Sequence, residues 1–325
     1  MSRPDATGLP PLPPRDPLGH KGTFGTVAIV GGCALPESRM LGAPALAARA
    51  ALRAGAGLAR VLAPEPILDG VLGLVPAATG RALYVTATGA MIPHLAAEAI
   101  DEAARSCRCL AVGPGLGEGD GPRAATVRAI GQEDVPVVID ADGIRALAQT
   151  PQLTRDLKAE AVLTPHPGEF RVLCEGMGLR DHLGLASSRA QAAESLAQRL
   201  ACVVVLKGAG TVVSDGRRTW TCPAESPVLA TGGTGDVLTG LIAGLIAQFA
   251  PHGQAALLAR LARPATGPAP GTLELFDLAR LGVHIHAAAA EIWSQRRQSE
   301  GGMLPEELAD LVPEAIGRMR AEARP

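Results

Sequence analysis

The sequence predicts an α/β fold with a mostly parallel central sheet and helices on both faces. Three observations lead there. Short, continuously apolar runs alternate with longer Ala- and Leu-rich stretches of helical period. Strands apolar on both sides belong to parallel sheets covered on both faces. Four of these runs stop abruptly in clusters of Gly, Pro and polar residues, and such sheets bind ligands just beyond the carboxyl ends of their strands. Hydrophobic residues make up 47% of the 325, enough for a sizeable core, and with only four Phe, two Trp and one Tyr that core must be Leu, Ala, Val and Ile.

The elements follow in order. Residues 26–30 read as a strand, 42–54 as a helix, 58–62 as a strand and 92–105 as a helix. Residues 109–112 form a strand that stops at Gly113-Pro114-Gly115, and 135–139 one that stops at Asp140-Ala141-Asp142-Gly143. Residues 161–163 form a strand ending in Thr164-Pro165-His166-Pro167-Gly168-Glu169. A helix over 187–200 precedes a strand over 202–206, which stops at Lys207-Gly208-Ala209-Gly210-Thr211. Residues 211–214 and 218–222 suit a small antiparallel pair around Asp215-Gly216. Beyond Asp236 the chain reads as helical, broken by an inserted Ala-, Pro- and Gly-rich loop over 251–271. A loose Pro-rich arm is expected over 1–17 and a single domain over 18–325.

Charge and composition exclude several functions. The formal net charge is -2 with no basic or acidic block, which argues against nucleic acid or a membrane surface as partner. No apolar run is long enough to span a bilayer, and no apolar leader opens the chain. The six cysteines form no CxxC pair, and several sit in apolar stretches, as expected of buried thiols in a reducing cytoplasm. Of 30 cationic residues only Lys21, Lys158 and Lys207 are lysines, and two of them precede glycine. A compact ammonium beside flexible backbone suits a phosphate; chance placement of three residues is the competing explanation.

The chemistry concentrates in Thr231-Gly232-Gly233-Thr234-Gly235-Asp236, which opens an apolar helical run. Glycines free the backbone to turn and expose N–H groups, and a helix N-terminus adds its positive dipole end. Together they make an anion site. A carboxylate there is unfavourable unless it works as a general base, taking a proton from a hydroxyl that receives a phosphoryl group. The competing role is a plain turn with Asp236 as helix N-cap. In a parallel sheet, one crevice collects Gly113, Asp140, His166, Lys207 and Asp236.

The motifs His20-Lys21-Gly22-Thr23-Phe24-Gly25, Met40-Leu41-Gly42-Ala43, Gly113-Pro114-Gly115-Leu116-Gly117, Asp140-Ala141-Asp142, 164–170, 207–211 and 232–240 occur in this order. As a set they resemble those of the ADP- or ATP-dependent NAD(P)H-hydrate dehydratases, members of the ribokinase-like superfamily. The resemblance covers roughly residues 14–320 and implies a ribokinase-like three-layer α/β/α sandwich. It departs from the family at Phe24, usually Tyr, at Asp-Ala-Asp-Gly-Ile, often Asp-Ala-Asp-Ala-Leu, and in the 251–271 insertion.

What the resemblance implies is specific. Hydrated NADH or NADPH carries a hydroxyl on C6 of its reduced ring; phosphorylating it makes a leaving group, and loss of phosphate restores the dinucleotide. Asp236 would be the catalytic base. Ala43, Gly113, Gly115, His166 and Asp236 would bind the hydrated dinucleotide. Lys207, Gly208, Ala209, Gly210 and Thr211, with Gly233, Thr234 and Gly235, would bind the adenine nucleotide. Mg2+ is implied, and the sequence singles out no ligands for it. The resemblance further implies ADP or ATP as phosphoryl donor, a cytoplasmic homo-oligomer and a functional link to a separate NAD(P)H-hydrate epimerase. Too few residues precede Lys21 for the epimerase domain of many relatives, so the dehydratase alone is expected.

Other residues carry lesser expectations. Lys21 would neutralise a substrate phosphate, and Glu169 would be a first-turn acid facing the helix dipole. Asp140 and Asp142 would cap the next helix or orient Mg2+-bound water, the cap being the simpler role. His284 and His286, two apart on a helix, would be structural. The rival activity is a ribokinase-like small-molecule kinase for a vitamin precursor or sugar; a third possibility is a nucleotide-binding regulator without catalysis.

Overall fold

The computed structural model describes residues 8–179, 188–224, 226–251 and 271–322. Its strands are β1 (Thr26–Val30), the hairpin β2 (Cys33–Leu35) and β3 (Ser38–Met40), β4 (Leu58–Pro64), β5 (Thr79–Leu83), β6 (Cys109–Val112), β7 (Val137–Ile139), β8 (Ala161–Leu163), β9 (Val203–Leu206), β10 (Val212–Ser214) and β11 (Thr219–Thr221). Nine of them form one sheet in the order β11-β10-β9-β8-β7-β6-β1-β4-β5. The run from β9 to β5 is parallel throughout, and β10 pairs antiparallel with both β9 and β11. The expected antiparallel pair is therefore present at the sheet's edge.

The period-2 alternation of each strand builds two cores. Val27 and Ile29 of β1 join one and Ala28 and Val30 the other, all fully buried. The first core is closed by α1 (Gly42–Arg53), α2 (Glu65–Leu74), α9 (Thr234–Phe249), α10 (Leu275–Arg297) and α11 (Pro305–Glu322). The second is closed by α3 (Pro93–Ala104), α4 (Asp120–Ile130), α5 (Asp142–Ala148), α7 (Pro167–Gly176) and α8 (Arg189–Leu200), with the single turn α6 (Leu153–Asp156) beside them. The result is the expected three-layer α/β/α sandwich.

Several elements go beyond the sequence expectation. The β2–β3 hairpin, β5, α2 and α4 were not foreseen, α5 and α7 were implied only through the acids expected at their starts, and the strand expected over 135–139 is confined to Val137–Ile139. The helix expected from residue 187 starts at Arg189 behind an Ser188 cap; residue 187 lies outside the described residues. So do residues 252–270 of the expected insertion. Of the arm expected to be loose, residues 1–7 also lie outside, whereas 8–17 rest on the body. Leu12 is buried in the first core. Arg280 donates to the Gly8 carbonyl and Arg320 to that of Pro13, while Arg15 donates to the Gly55 carbonyl and Gln248. These guanidinium anchors hold a segment whose proline content suggested freedom.

The α1–α9 contact fixes the site. α1 is rich in alanine, and a Cβ on Gly240 or Gly244 of α9 would lie 2.0 Å from the Ala47 carbonyl oxygen or 2.7 Å from that of Ala51. Only glycine permits so close a backbone approach. α9 is thereby pressed onto the sheet with its N-terminus at the carboxyl ends of the strands. The thiols are inert as expected: all six cysteines are free and five buried, and burial pushes Cys107, Cys174 and Cys202 up to about 12.

Candidate active site

Five chain segments meet at the carboxyl edge of the sheet. Lys207, just after β9, sets its ammonium 2.5 Å from Asp140 Oδ1, just after β7, and 3.7 Å from Glu169 Oε2 in the first turn of α7. The second oxygen of Asp140 accepts the Thr239 hydroxyl of α9 at 2.7 Å. A Cβ built on Gly235 would lie 3.4 Å from Lys207 Nζ and 3.8 Å from Asp140 Oδ2. The ion pair thus lies directly against the glycine preceding Asp236. Asp140 is 1% exposed and Glu169 6%, a burial that carboxylates tolerate only when paired.

Asp236 stands in the first turn of α9, not at its cap, which is Gly233 in the left-handed region at φ 92. The simple capping role therefore fails. Its carboxylate makes no hydrogen bond among those found in the described residues. Burial first, and then the facing Asp140, push it up to about 7, against the pull of Lys207. That is the range a general base needs at neutral pH. Burial likewise raises Glu169, opposed by Lys207. Burial would lower Lys207, but Asp140 and Glu169 outweigh it and keep the ammonium charged.

The segment 231–235 is held from behind. The Thr234 hydroxyl donates to the carbonyls of Leu229 and Thr231 at 2.9 Å each. Its own carbonyl accepts His286 Nε2 at 2.9 Å. Burial depresses His286 to about 4, so the ring is neutral and structural, as expected.

His166 is the N-cap of α7. Its Nδ1 accepts the N–H of Gly168 at 2.9 Å and of Glu169 at 3.3 Å, while Glu169 Oε2 accepts the His166 N–H at 2.8 Å. This is a capping box with histidine in the place of serine. With Nδ1 used as acceptor, the neutral ring carries its proton on Nε2, 3.3 Å from Glu169 Oε1. In that form His166 faces Glu169 with its N–H and has no free lone pair for proton abstraction. Glu169 does more than meet the helix dipole, since it closes the box and faces Lys207.

The glycines after β6 line the same edge. A Cβ on Gly113 (φ 123) would fall 1.8 Å from the Asp140 carbonyl oxygen, so its necessity comes from the neighbouring loop. A Cβ on Gly115 would lie 3.1 Å from Ala43 Cβ and 2.9 Å from Met40 Cβ, which makes Ala43 and Gly115 one wall. Beyond Leu116 a cavity of about 260 Å³ opens over the ends of β1, β4 and β6, between Cys33, Pro64, Met91 and Pro122. It lies beside the reactive cluster and does not contain it.

Two expectations fail. Asp140 and Asp142 do not cap α5: its N-cap is Ala141, without a side-chain bond, and Asp142 Oδ2 instead accepts the Gly117 N–H at 2.8 Å. Lys21 and Phe24 lie at the opposite end of the strands. Gly57, just before β4, donates to the Phe24 carbonyl, and Arg108, just before β6, to that of Thr23. A Cβ on the adjoining Gly25 would strike the Ala247 carbonyl near the far end of α9. About 16 Å of helix separates Ala247 from Asp236. Phe24 instead carries the Arg15 guanidinium at 3.6 Å from its ring centre. Within one chain neither residue reaches the crevice. The sequence reading also missed Thr239, although a lone hydroxyl within an otherwise apolar helix was a visible signal.

The chain matches the family described as NAD(P)H-hydrate dehydratase over residues 27–314. It is 35% identical to the bifunctional NAD(P)H-hydrate repair enzyme Nnr of Salinibacter ruber, over 96% of this chain and 52% of that protein. It is 31% identical to the ADP-dependent (S)-NAD(P)H-hydrate dehydratase of Bacillus subtilis, over 93% of this chain and 92% of that one. The crystal structure of the Bacillus subtilis ADP/ATP-dependent NAD(P)H-hydrate dehydratase, co-crystallised with ATP and Mg2+, superposes with a TM-score of 0.69 at 28% identity, covering 97% of this chain and 100% of that one. The chain spans about half the length of the first curated relatives it matches.

Proposed function

The chain belongs to the NAD(P)H-hydrate dehydratase family, and from that premise we propose that it is a carbon–oxygen lyase returning hydrated NADH or NADPH to the unhydrated form at the expense of ADP or ATP. The observation that carries the mechanism is Asp236: a carboxylate at about 7, unpaired, in the first turn of α9 and beside a buried Lys207–Asp140 pair.

Asp236 takes the proton of the C6 hydroxyl while that oxygen bonds the terminal phosphorus of the nucleotide and the bridging P–O bond breaks. Backbone N–H groups at the α9 N-terminus, with Gly233 and Gly235, meet the charge that develops on the phosphoryl oxygens. The ring nitrogen lone pair then expels phosphate, and loss of a proton from the neighbouring carbon restores the dihydropyridine. His166, as donor, and the Ala43–Gly115 wall orient the hydrated ring. The cavity beyond Leu116 offers room for the rest of the dinucleotide, and the 207–211 turn takes the AMP portion of the donor.

Mg2+ fits this edge as an ion that arrives on the phosphates. Asp140, Glu169 and Asp236 outnumber the Lys207 ammonium, yet among the described residues no three His, Cys, Asp or Glu form a metal cage. Asp140 and Asp236 are the carboxylates that would help hold such an ion, which would supply neutralisation of phosphate charge.

Lys207 and Asp236 would serve a small-molecule kinase equally well; the family match favours the dehydratase. A separate epimerase activity is proposed to supply the reactive epimer, in keeping with the bifunctional naming of the longer relatives. Assembly into a homo-oligomer is proposed too, testable by light scattering. The functional test is direct: the protein is mixed with hydrated NADPH or NADH, Mg2+ and either ADP or ATP, and the absorbance of the restored dihydronicotinamide is followed. Recovery with one nucleotide identifies the donor. No recovery with either, together with phosphorylation of a vitamin alcohol or sugar, transfers the protein to the kinases.

A further inference from the structure

The 207–211 turn is organised by a side chain that none of its motifs contains. Arg189 opens α8, and its guanidinium faces the carbonyls of the turn. Nη2 donates to Leu206 O at 2.9 Å and Lys207 O at 2.8 Å; Nη1 donates to Ala209 O and, more distantly, to Gly210 O at 3.4 Å. A Cβ on Gly208 would fall 2.8 Å from Arg189 Nη2, so the glycine makes room for the guanidinium. Buried Nε has no hydrogen-bond partner. An arrangement that leaves one donor orphaned while spending its others on four carbonyls of one five-residue stretch is specific to the turn's shape.

The consequence follows from peptide planarity. In a trans peptide C=O and N–H point in opposite directions. With the carbonyls of 206, 207, 209 and 210 turned toward Arg189, the N–H groups of Lys207, Gly208, Gly210 and Thr211 point away from it. That of Lys207 meets the Pro165 carbonyl at 2.9 Å, at the carboxyl edge of β8. Those of Gly208, Gly210 and Thr211 have no backbone acceptor among the described residues. Gly208 at φ 140 and Gly210 at φ 61 supply the conformations that converge such N–H groups on an anion.

We propose that Arg189 is a positioning residue for the adenine nucleotide: by gathering the turn's carbonyls on one side it presents three backbone N–H groups on the other to the phosphate of the nucleotide's AMP portion. This rests on the reading of 207–211 as the nucleotide turn. A lysine does not replace it, because a point ammonium cannot span four carbonyls as a planar fork does.

The test is equilibrium binding of ADP and ATP by calorimetry, independent of turnover, with wild type, Arg189→Lys and Arg189→Ala, each checked for folding by circular dichroism. Arg189→Ala is expected to weaken nucleotide binding by about tenfold to a hundredfold, and Arg189→Lys by a smaller factor. Ethylguanidinium added to Arg189→Ala restores part of the loss. In steady state the nucleotide KM rises while the KM for the hydrated dinucleotide is unchanged. Wild-type affinity in Arg189→Ala, or in Arg189→Lys should the alanine variant not fold, overturns the proposal. So does an equal rise in both KM values without guanidinium rescue, since that is the behaviour of a merely structural arginine. If wild type itself binds neither nucleotide, the nucleotide reading of the turn fails first.

Discussion

In the proposed mechanism Asp236 is the base, and its environment dictates two measurable behaviours. Asp236→Asn keeps shape and removes the base, so turnover is expected to fall by about 100- to 10,000-fold while nucleotide binding persists; near-normal turnover in a rapid-mixing assay removes the assignment. For wild type, turnover should rise with pH through about 7 and level above it, because the ionised form is the base. The stability sign is the reverse. A carboxyl whose folded value is raised contributes stability fully present at low pH and lost as pH climbs through the folded value near 7. Asp236→Asn does not incur that cost, so its melting temperature should pull ahead of wild type between about pH 4 and pH 7 and stay ahead. Parallel melting curves across that window contradict the buried-carboxylate account. At this scale the sequence told half the story. The position of Asp236 at a glycine-flanked helix start was legible, but the pairing of Lys207 with Asp140, 67 residues apart, was not. Nothing local marks a contact made across the sheet, and Asp140 was read as a cap for that reason.

At the scale of elements, α9 depends on having no side chain where it crosses α1. Gly240→Ala places a methyl 2.0 Å from the Ala47 carbonyl position, which forces the helices apart. A loss of about 1–3 kcal/mol in urea unfolding is expected, with reduced turnover because the helix bearing Asp236 shifts. An unchanged urea midpoint contradicts the close crossing. Strands β1, β6 and β8 were legible because they are apolar without interruption. α7 was marked only by Glu169 as a first-turn acid and given no range because it starts Pro167-Gly168, yet proline at the first helical turn is favourable where its missing N–H has no partner to lose. α4 was hidden likewise by Asp120-Gly121-Pro122.

For the whole molecule, the order of strands separates the two proposed ligand areas. The 207–211 turn lies after β9, and the cavity beyond Leu116 lies over β6, β1 and β4, with Asp236 and Asp140 between them. From β9 to β4, five strand spacings at about 4.8 Å give about 24 Å of edge, room for a nucleotide and a dinucleotide end to end. Adenine nucleotide with Mg2+ should therefore raise the melting temperature in a concentration-dependent way, by the equivalent of about 2.7 kcal/mol at a hundredfold excess over Kd; a flat response argues against a nucleotide site. The fold class was legible because alternation of strand and helix is global, whereas the docking of 8–17 by arginine anchors was not. Among the described helices none is long and apolar enough to cross a membrane.

The silent thiols have a practical use. Cys107, Cys174 and Cys202 stand at about 12, and the other three are buried, so maleimide at neutral pH should leave the native cysteines unmodified. Gly232 is exposed, and a Cβ there meets nothing within 4 Å. Gly232→Cys would thus carry a single fluorophore at the rim of the crevice, and its emission would follow donor arrival and departure in real time.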